Sequence, residues 1–216
     1  MTTLLLVRHG QSVSNAGLRT VRPHLTELTA IGQEQARLTA AALPEPALVA
    51  VSPYHRARDT AQPFRERWPG APCVEWPVQE FTYLDPTAWD GTTALDRRPA
   101  IDAYWGRADP HCAGGGGAES FAQLLARVDR VRRDSEAFGE GPIVVFTHGV
   151  FSKALLWRCS DPRAAAATAD GMARMREFAR GFTFPNCGIV EVRFGPGATT
   201  YRPADVSHLP PELMTD

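Results

Sequence analysis

The apolar positions of this chain come in short blocks that end abruptly in polar or basic residues. Leu4-Leu5-Leu6-Val7 is long enough for a buried strand and too short for a helix. Residues 2–7 therefore read as a first strand, which breaks at Arg8-His9-Gly10. A polar loop runs through Asn15 to Pro23, and a helix is expected to begin near Thr29, whose hydroxyl can cap it. Ile31, Leu38, Ala41 and Ala42 would form its apolar face, with Pro44 and Pro46 ending it. Ala47–Val51 reads as a second buried strand running into Ser52-Pro53. The helix after it places Ala57, Ala61 and Phe64 on one side, and Arg56 and Thr60 one turn apart. Val74–Val78 reads as a short third strand, and Pro77 assigns it to an edge.

Residues 80–118 lack clean periodicity. They hold Trp89, Tyr104, Trp105 and Arg107 and end near the run Gly114–Gly117. A connection this long in a compact domain is commonly functional. It reads as a lid-like excursion over a site, with a short helix near Pro99–Trp105 and a glycine hinge. Its aromatic residues and Arg107 could stack on a ring or pair with a second charge, or could pack the excursion onto the body.

Clear periodicity returns at Phe121, Leu124, Leu125, Val128 and Val131, an amphipathic helix that Ser120 would cap. Ile143–Thr147 is the strongest strand pattern; it ends in His148-Gly149 and turns into a helix through Phe151 and Leu155. Asp161-Pro162 would open the next, alanine-rich helix, with Met172 and Met175 packing. Strands near Ile189–Phe194 and Thr199–Arg202 form a hairpin across Gly195-Pro196-Gly197, with Asn186 and Cys187 as turn and core. The last dozen residues read as a tail. Strands alternating with helices imply an α/β fold: a three-layer α/β/α sandwich on a mainly parallel sheet, with one antiparallel edge or hairpin strand. The expected organisation is one domain over 1–216 with an inserted excursion at about 80–118.

Composition narrows the partners. The 216 residues carry a formal net charge of -1, with 44% hydrophobic and 22% charged residues. That balance offers no electrostatic attraction to nucleic acid or to an anionic membrane. No apolar run approaches a membrane span, and no signal peptide is expected at the N-terminus. Cys73, Cys112, Cys159 and Cys187 lack CxxC spacing and read as free thiols in a reducing compartment, so a cytoplasmic location is expected. Oligomeric state is not legible.

Two strands thus end in histidine, at Arg8-His9-Gly10 and Thr147-His148-Gly149, and a third leads into Arg56. In open α/β sheets, ligands bind outside the carboxyl ends of strands. An edge carrying two imidazoles, two guanidiniums and helix N-termini suits a phosphoryl group. His24, His55, His111 and His208 have no such support and read as surface or loop residues.

The blocks Arg8-His9-Gly10-Gln11-Ser12 with Asn15, Leu28-Thr29 with Gly32 and Gln35-Ala36, Ser52-Pro53 with Arg56-Ala57 and Thr60-Ala61, Glu119-Ser120, and Thr147-His148-Gly149 appear in the order seen in the histidine phosphatase, or phosphoglycerate-mutase-like, superfamily. The resemblance spans residue 4 to about 192. It implies that His9 is a nucleophile that becomes phosphohistidine, that Arg8, Arg56 and His148 clamp the phosphoryl group, and that Asn15 adds a polar contact. Gln11, Gly149 and Trp89 are further candidates for substrate contact. By position Glu80 matches the family's proton donor, with Asp85 and Asp90 as alternatives, because the segment Phe81–Pro86 departs from the family's usual pattern. The expectation is a phosphoric monoester hydrolase of the histidine acid phosphatase type. It would act on a small phosphorylated metabolite with no metal and no cofactor. A phosphoglycerate-mutase-type transferase and a non-catalytic phospho-ligand binder are the alternatives.

Overall fold

A computed structural model describes residues 2–139, 141–161, 164, 166–195 and 198–216. Its six strands are β1 (Thr2–Arg8), β2 (Leu48–Val51), β3 (Cys73–Glu75), β4 (Pro142–Thr147), β5 (Ile189–Gly195) and β6 (Ala198–Tyr201), in the sheet order β3-β2-β4-β1-β5-β6. β1, β2, β3 and β4 are mutually parallel, and β5 alone runs against its neighbours, between β1 and the edge strand β6. The helices are α1 (Ala30–Ala42), α2 (His55–Arg67), α3 (Arg98–Arg107), α4 (Phe121–Ala137), α5 (Gly149–Ser160) and α6 (Ala169–Gly181).

Successive side chains of a strand point to opposite faces, so the unbroken apolar runs supply two cores at once. Leu4 and Leu6 join Ile143, Val145, Val128 and Leu155 on the side of α4, α5 and α6. Leu5 and Val7 join Val144, Phe146, Ala61 and Phe64 on the side of α1 and α2. The result is the expected three-layer α/β/α sandwich.

Several boundaries differ from the sequence pattern. β3 stops at Glu75, and Pro77 diverts the chain so that Val78 leaves the sheet and is fully buried in the α4-side core. The inward face of α1 is not the predicted apolar set: Ile31, Ala41 and Ala42 are exposed, while Gly32, Gln35, Ala36, Thr39 and Ala40 are buried. Polar residues are tolerated there because each finds partners. Thr39 donates back to the Gln35 carbonyl at 2.7 Å, and Gln35 Nε2 donates to Leu213 O at 2.6 Å. The terminal segment is accordingly docked rather than trailing, with Asn186 N donating to Thr215 O at 2.9 Å. α6 starts later than expected, capped by Thr168; Pro162 lies outside the described residues, as do Pro196 and Gly197 of the hairpin turn.

The excursion carries α3 close to where a helix was expected. Tyr104 is buried and stacks on Tyr83 at 4.6 Å between ring centroids, and Trp105 packs edge-on against both. These aromatics therefore fix the excursion to the body. Gly114 is stitched to the same segment, its N–H donating to Tyr83 O at 3.0 Å, and a Cβ there would sit 2.4 Å from that oxygen.

Candidate active site

Strand register assembles the site. β1 and β4 align Arg8 with Thr147, so that His9 N donates to Thr147 O at 2.9 Å and His148 follows alongside. β2 aligns Val51 with Phe146, bringing Ser52 N to Phe146 O at 3.0 Å and α2 to the same edge. The two histidine rings end 5.0 Å apart between centroids.

His9 is held at both nitrogens. Its Nδ1 lies 2.8 Å from the Gly10 carbonyl, which can only accept, so Nδ1 carries the proton. Its Nε2 then has the lone pair and accepts from Arg56 Nε at 3.0 Å. Burial, followed by the guanidiniums of Arg56 and Arg8, holds the imidazole well below its ordinary value of 6.5. Neutral His9 with a fixed tautomer is the protonation state a nitrogen nucleophile needs. Arg56 is itself buried, and burial brings its pKa down to about 10, still cationic at neutral pH; Glu80 and Tyr54 counter that effect. Its second anchor is Nη1 donating to Pro23 O at 2.6 Å.

The backbone around His9 is locked from three sides. Gly10 N donates to Thr60 Oγ1 at 3.0 Å, tying the loop to α2, and Asn186 Nδ2 donates to His9 O at 3.0 Å. Gln11 N donates to Gln35 Oε1 at 2.7 Å on α1. α1 comes so near that a Cβ on Gly10 would lie 2.5 Å from Gly32 O, and one on Gly32 would lie 2.1 Å from Gln11 O. Only glycine at both positions permits that approach.

Arg8 donates through Nη1 to Phe184 O, while its Nε is buried and meets no acceptor among the described residues. His148 is fully buried behind His9; its Nε2 lies 2.7 Å from Ser52 Oγ, and its Nδ1 is likewise without a partner. Burial first, then the charge of Arg56, keeps it neutral. Tyr54 braces this group from the side: its ring lies edge-on to His148 at 5.3 Å and under the Arg56 guanidinium at 5.2 Å. Its hydroxyl pairs with Thr82 Oγ1 at 3.0 Å.

Glu80 sits on the N-terminus of α5. Its Oε1 accepts from Val150 N at 3.0 Å, Phe151 N at 3.1 Å and Phe81 N at 3.0 Å, and Oε2 takes only a longer bond from Val150 N at 3.2 Å. Gly149 lies where a Cβ would be 3.8 Å from Glu80 Oε2 and 3.6 Å from Arg8 Nε. A cavity of about 260 Å³ is lined by Arg8, His9, Asn15, Arg56, Glu80 and Trp89, together with residues of the 12–26 loop and the excursion.

Not every candidate reaches that cavity. Gln11 turns away, its Oε1 accepting from Thr29 Oγ1 at 2.7 Å. Asp85 borders the cavity, but its Oδ1 closes a turn with Thr87 N and Ala88 N, and these bonds hold its pKa below the usual carboxylate value. Asp90 is exposed and Arg107 points to Cys112 Sγ at 3.1 Å on the surface. Asn186, read from sequence as a turn residue, belongs to the site's frame, and so does Tyr54, which no sequence pattern singles out. Asn186 lies two residues after the buried Phe184 in a loop with no periodicity to mark it, whereas the one signal for Tyr54 is its place as an aromatic residue between Pro53 and Arg56. Ser120 caps α4 as expected, in a capping box with Gln123.

A family model described as the histidine phosphatase superfamily (branch 1) matches residues 4–203. A glucosyl-3-phosphoglycerate phosphatase of Mycolicibacterium vanbaalenii is 31% identical over 164 residues, covering 70% of this chain and 71% of that protein. Among solved structures, a mycobacterial glucosyl-3-phosphoglycerate phosphatase complexed with VO3 is similar at a TM-score of 0.68 and 25% identity, over 95% of this chain and 98% of that one. An α-ribazole-5'-P phosphatase of Escherichia coli shares the fold at a TM-score of 0.71 and 23% identity, over 94% and 96% of the two chains. The relative matched by sequence is a phosphatase, as are the other members of the family reported above, which supports hydrolase activity here.

Proposed function

Because this chain belongs to the histidine phosphatase superfamily, we propose that it is a metal-independent phosphomonoesterase that works through phosphohistidine at residue 9. The observation that carries this reading is the ring of His9: Nδ1 engaged by Gly10 O, and Nε2 bare except for the Arg56 Nε–H. An incoming phosphoryl group offers Arg56 oxygen acceptors in place of Nε2, and so frees the lone pair at the moment the phosphorus arrives. Arg8 Nε and His148 Nδ1, both buried without acceptors among the described residues, are suited to the remaining oxygens. For His148 this requires Nδ1 to hold the proton, with the Ser52 hydroxyl donating to Nε2.

In the first half-reaction the Nε2 lone pair forms a bond to phosphorus and the phosphorus–alkoxide bond breaks. The departing electron pair takes a proton from Glu80 Oε2, the less engaged of its oxygens, giving a free alcohol. In the second, water attacks the phosphorus, the P–N bond breaks and its electrons return to Nε2. Glu80 accepts the proton lost by water, which restores the enzyme and releases inorganic phosphate. Splitting the displacement in two lowers each barrier, and the guanidiniums stabilise the equatorial oxygens in both halves. Among the described residues no three His, Cys, Asp or Glu side chains gather where a metal could sit. The chain holds no helix long and apolar enough to cross a membrane among those residues either, and a small phosphomonoester is the partner this reading requires.

The test is release of phosphate from p-nitrophenyl phosphate and a panel of phosphorylated metabolites, with EDTA present, by wild type and by His9→Ala. Release by wild type alone supports the proposal. Near-normal release by His9→Ala, or dependence on added metal, would overturn it.

A further inference from the structure

Burying a guanidinium is costly unless its charge is answered, so arginines withdrawn from solvent normally lie against carboxylates. Among the described residues the buried or partly buried arginines divide cleanly. Arg127, Arg132, Arg158, Arg174 and Arg176 each pair with an acid: Glu119, Glu136, Asp129, Asp161 and Asp102 respectively. Arg8, Arg56 and Arg97 have no acid at ion-pair distance, and all three line the same cavity. The first two belong to the phosphoryl end. Arg97 comes from the excursion, just before α3, and the proposed chemistry leaves it unused.

Its geometry is that of a held reader rather than a loose surface charge. Nη1 donates to Thr92 O and Thr92 Oγ1, each at 3.0 Å, and to Thr20 Oγ1 at 3.3 Å. Thr20 and Thr92 also bridge the two loops that flank the cavity, Thr20 N donating to Thr92 O at 3.1 Å. All these acceptors are neutral. They engage one nitrogen, leaving Nε–H and the Nη2 hydrogens with no acceptor among the described residues. That free edge is a planar two-point donor, which matches the paired oxygens of a carboxylate or phosphate. Burial pulls the Arg97 pKa down from its ordinary value, with Asp96 acting against it, so the group is already partly desolvated.

We infer that Arg97 is a specificity residue that reads a second anionic group on the substrate, so that the preferred phosphomonoesters carry a carboxylate or a second phosphate besides the one transferred. This rests on the assignment of the Arg8–His9–Arg56 end to the transferred phosphoryl group. Aromatic stacking by Tyr104 and Trp105 is unavailable to the substrate, because those rings are spent on packing, and Trp89 remains the excursion's cavity-lining indole.

Two matched pairs separate the terms. 3-Phosphoglycerate and glycerol 3-phosphate share a carbon skeleton and differ in a carboxylate; fructose 1,6-bisphosphate and fructose 6-phosphate differ in a second phosphate. Binding is measured by calorimetry on His9→Ala, where the proposed chemistry gives no turnover, and on His9→Ala combined with Arg97→Gln or Arg97→Lys. At least one pair should favour its doubly anionic member by about tenfold or more, as a charge-assisted bond provides. Arg97→Gln should bring that ratio close to one, and Arg97→Lys should keep part of it, since the charge stays while the fork is lost. The winning pair identifies the anion. The inference is overturned by absence of preference in both pairs, by absence of binding, by a ratio that survives Arg97→Gln, or by its complete loss in Arg97→Lys, which would make Arg97 loop architecture. Failure of the phosphatase reading would show separately, as absence of phosphate release by wild type in the hydrolysis panel.

Discussion

Arg56 Nε donates to His9 Nε2 across 3.0 Å, so the residue assigned to the phosphate oxygens also occupies the nucleophile's lone pair before substrate arrives. The same guanidinium is braced by Pro23 O and by the face of Tyr54, which limits where it can move once displaced. Removing it should therefore be felt in the transition state more than in folding. Arg56→Ala is expected to lower kcat by roughly a hundredfold or more, the scale of losing one preorganised donor to a developing anion. Steady-state kinetics alongside thermal unfolding checks this; a variant that is only less stable would make Arg56 structural.

Glu80 makes no contact with His9 at hydrogen-bond distance and rests instead on the first turn of α5. Its assigned task is to move a proton to the leaving oxygen. Glu80→Gln keeps the shape and loses the proton transfer, so its defect should grow with the leaving group's pKa. Alkyl phosphates should lose roughly a hundredfold or more, as for other general acids, and p-nitrophenyl phosphate far less. An equal loss on both substrates would argue that Glu80 only orients α5.

His9 and His148 are both kept neutral, by burial first and by neighbouring guanidinium charge second. In the unfolded chain each takes a proton below about pH 6.5, whereas the native residues do so only at lower pH. Between those limits the unfolded state binds more protons, so stability falls as pH falls below about 6.5. Each residue contributes a slope of about 1.4 kcal/mol per pH unit over that window. Urea unfolding between about pH 7 and about pH 5.5, a range that brackets the unfolded value, should be less pH-dependent in His148→Gln than in wild type. Identical slopes would mean that His148 titrates alike in both states.

Gly32 on α1 faces Gln11 with no room for a methyl group: the added carbon would lie 2.1 Å from a backbone oxygen. Backbone cannot swing aside as a side-chain tip can. Gly32→Ala should cost about 1–3 kcal/mol of stability through overpacking and should lower kcat by shifting the loop that carries His9. Full stability and full activity in this variant would show that α1 does not set that loop's position.

Much of the fold is legible from the chain alone where the physics is local. The apolar runs Leu4–Val7 and Ile143–Phe146 are buried on both faces, so their pattern is continuous and hard to misread. His9 and His148, just beyond the ends of those two strands, are then placed by strand register. The apolar face of α1 misleads because its buried side is polar: Gln35 and Thr39 are stabilised by partners near residues 208–215, far away in sequence. Asn186 is hidden for the same reason, since its partners His9 and Asn15 are more than 170 residues distant. Arg97 differs from its neighbour Arg98 only in what surrounds it: Arg98 pairs with Asp102 in solvent, and Arg97 faces the cavity with none. Periodicity reports burial, and it does not report which charge has been left without an answer.

The proposed chemistry turns on a covalent bond between phosphorus and His9 Nε2. Mixing wild-type protein with p-nitrophenyl phosphate, quenching rapidly in alkali and mapping the phosphorylated peptide by mass spectrometry tests it directly. Residue 9 should carry an acid-labile, alkali-stable phosphoryl group that disappears as substrate is exhausted. Sustained hydrolysis with no phosphorylated residue 9 in wild type at any quench time, and equal hydrolysis by His9→Ala, would contradict it.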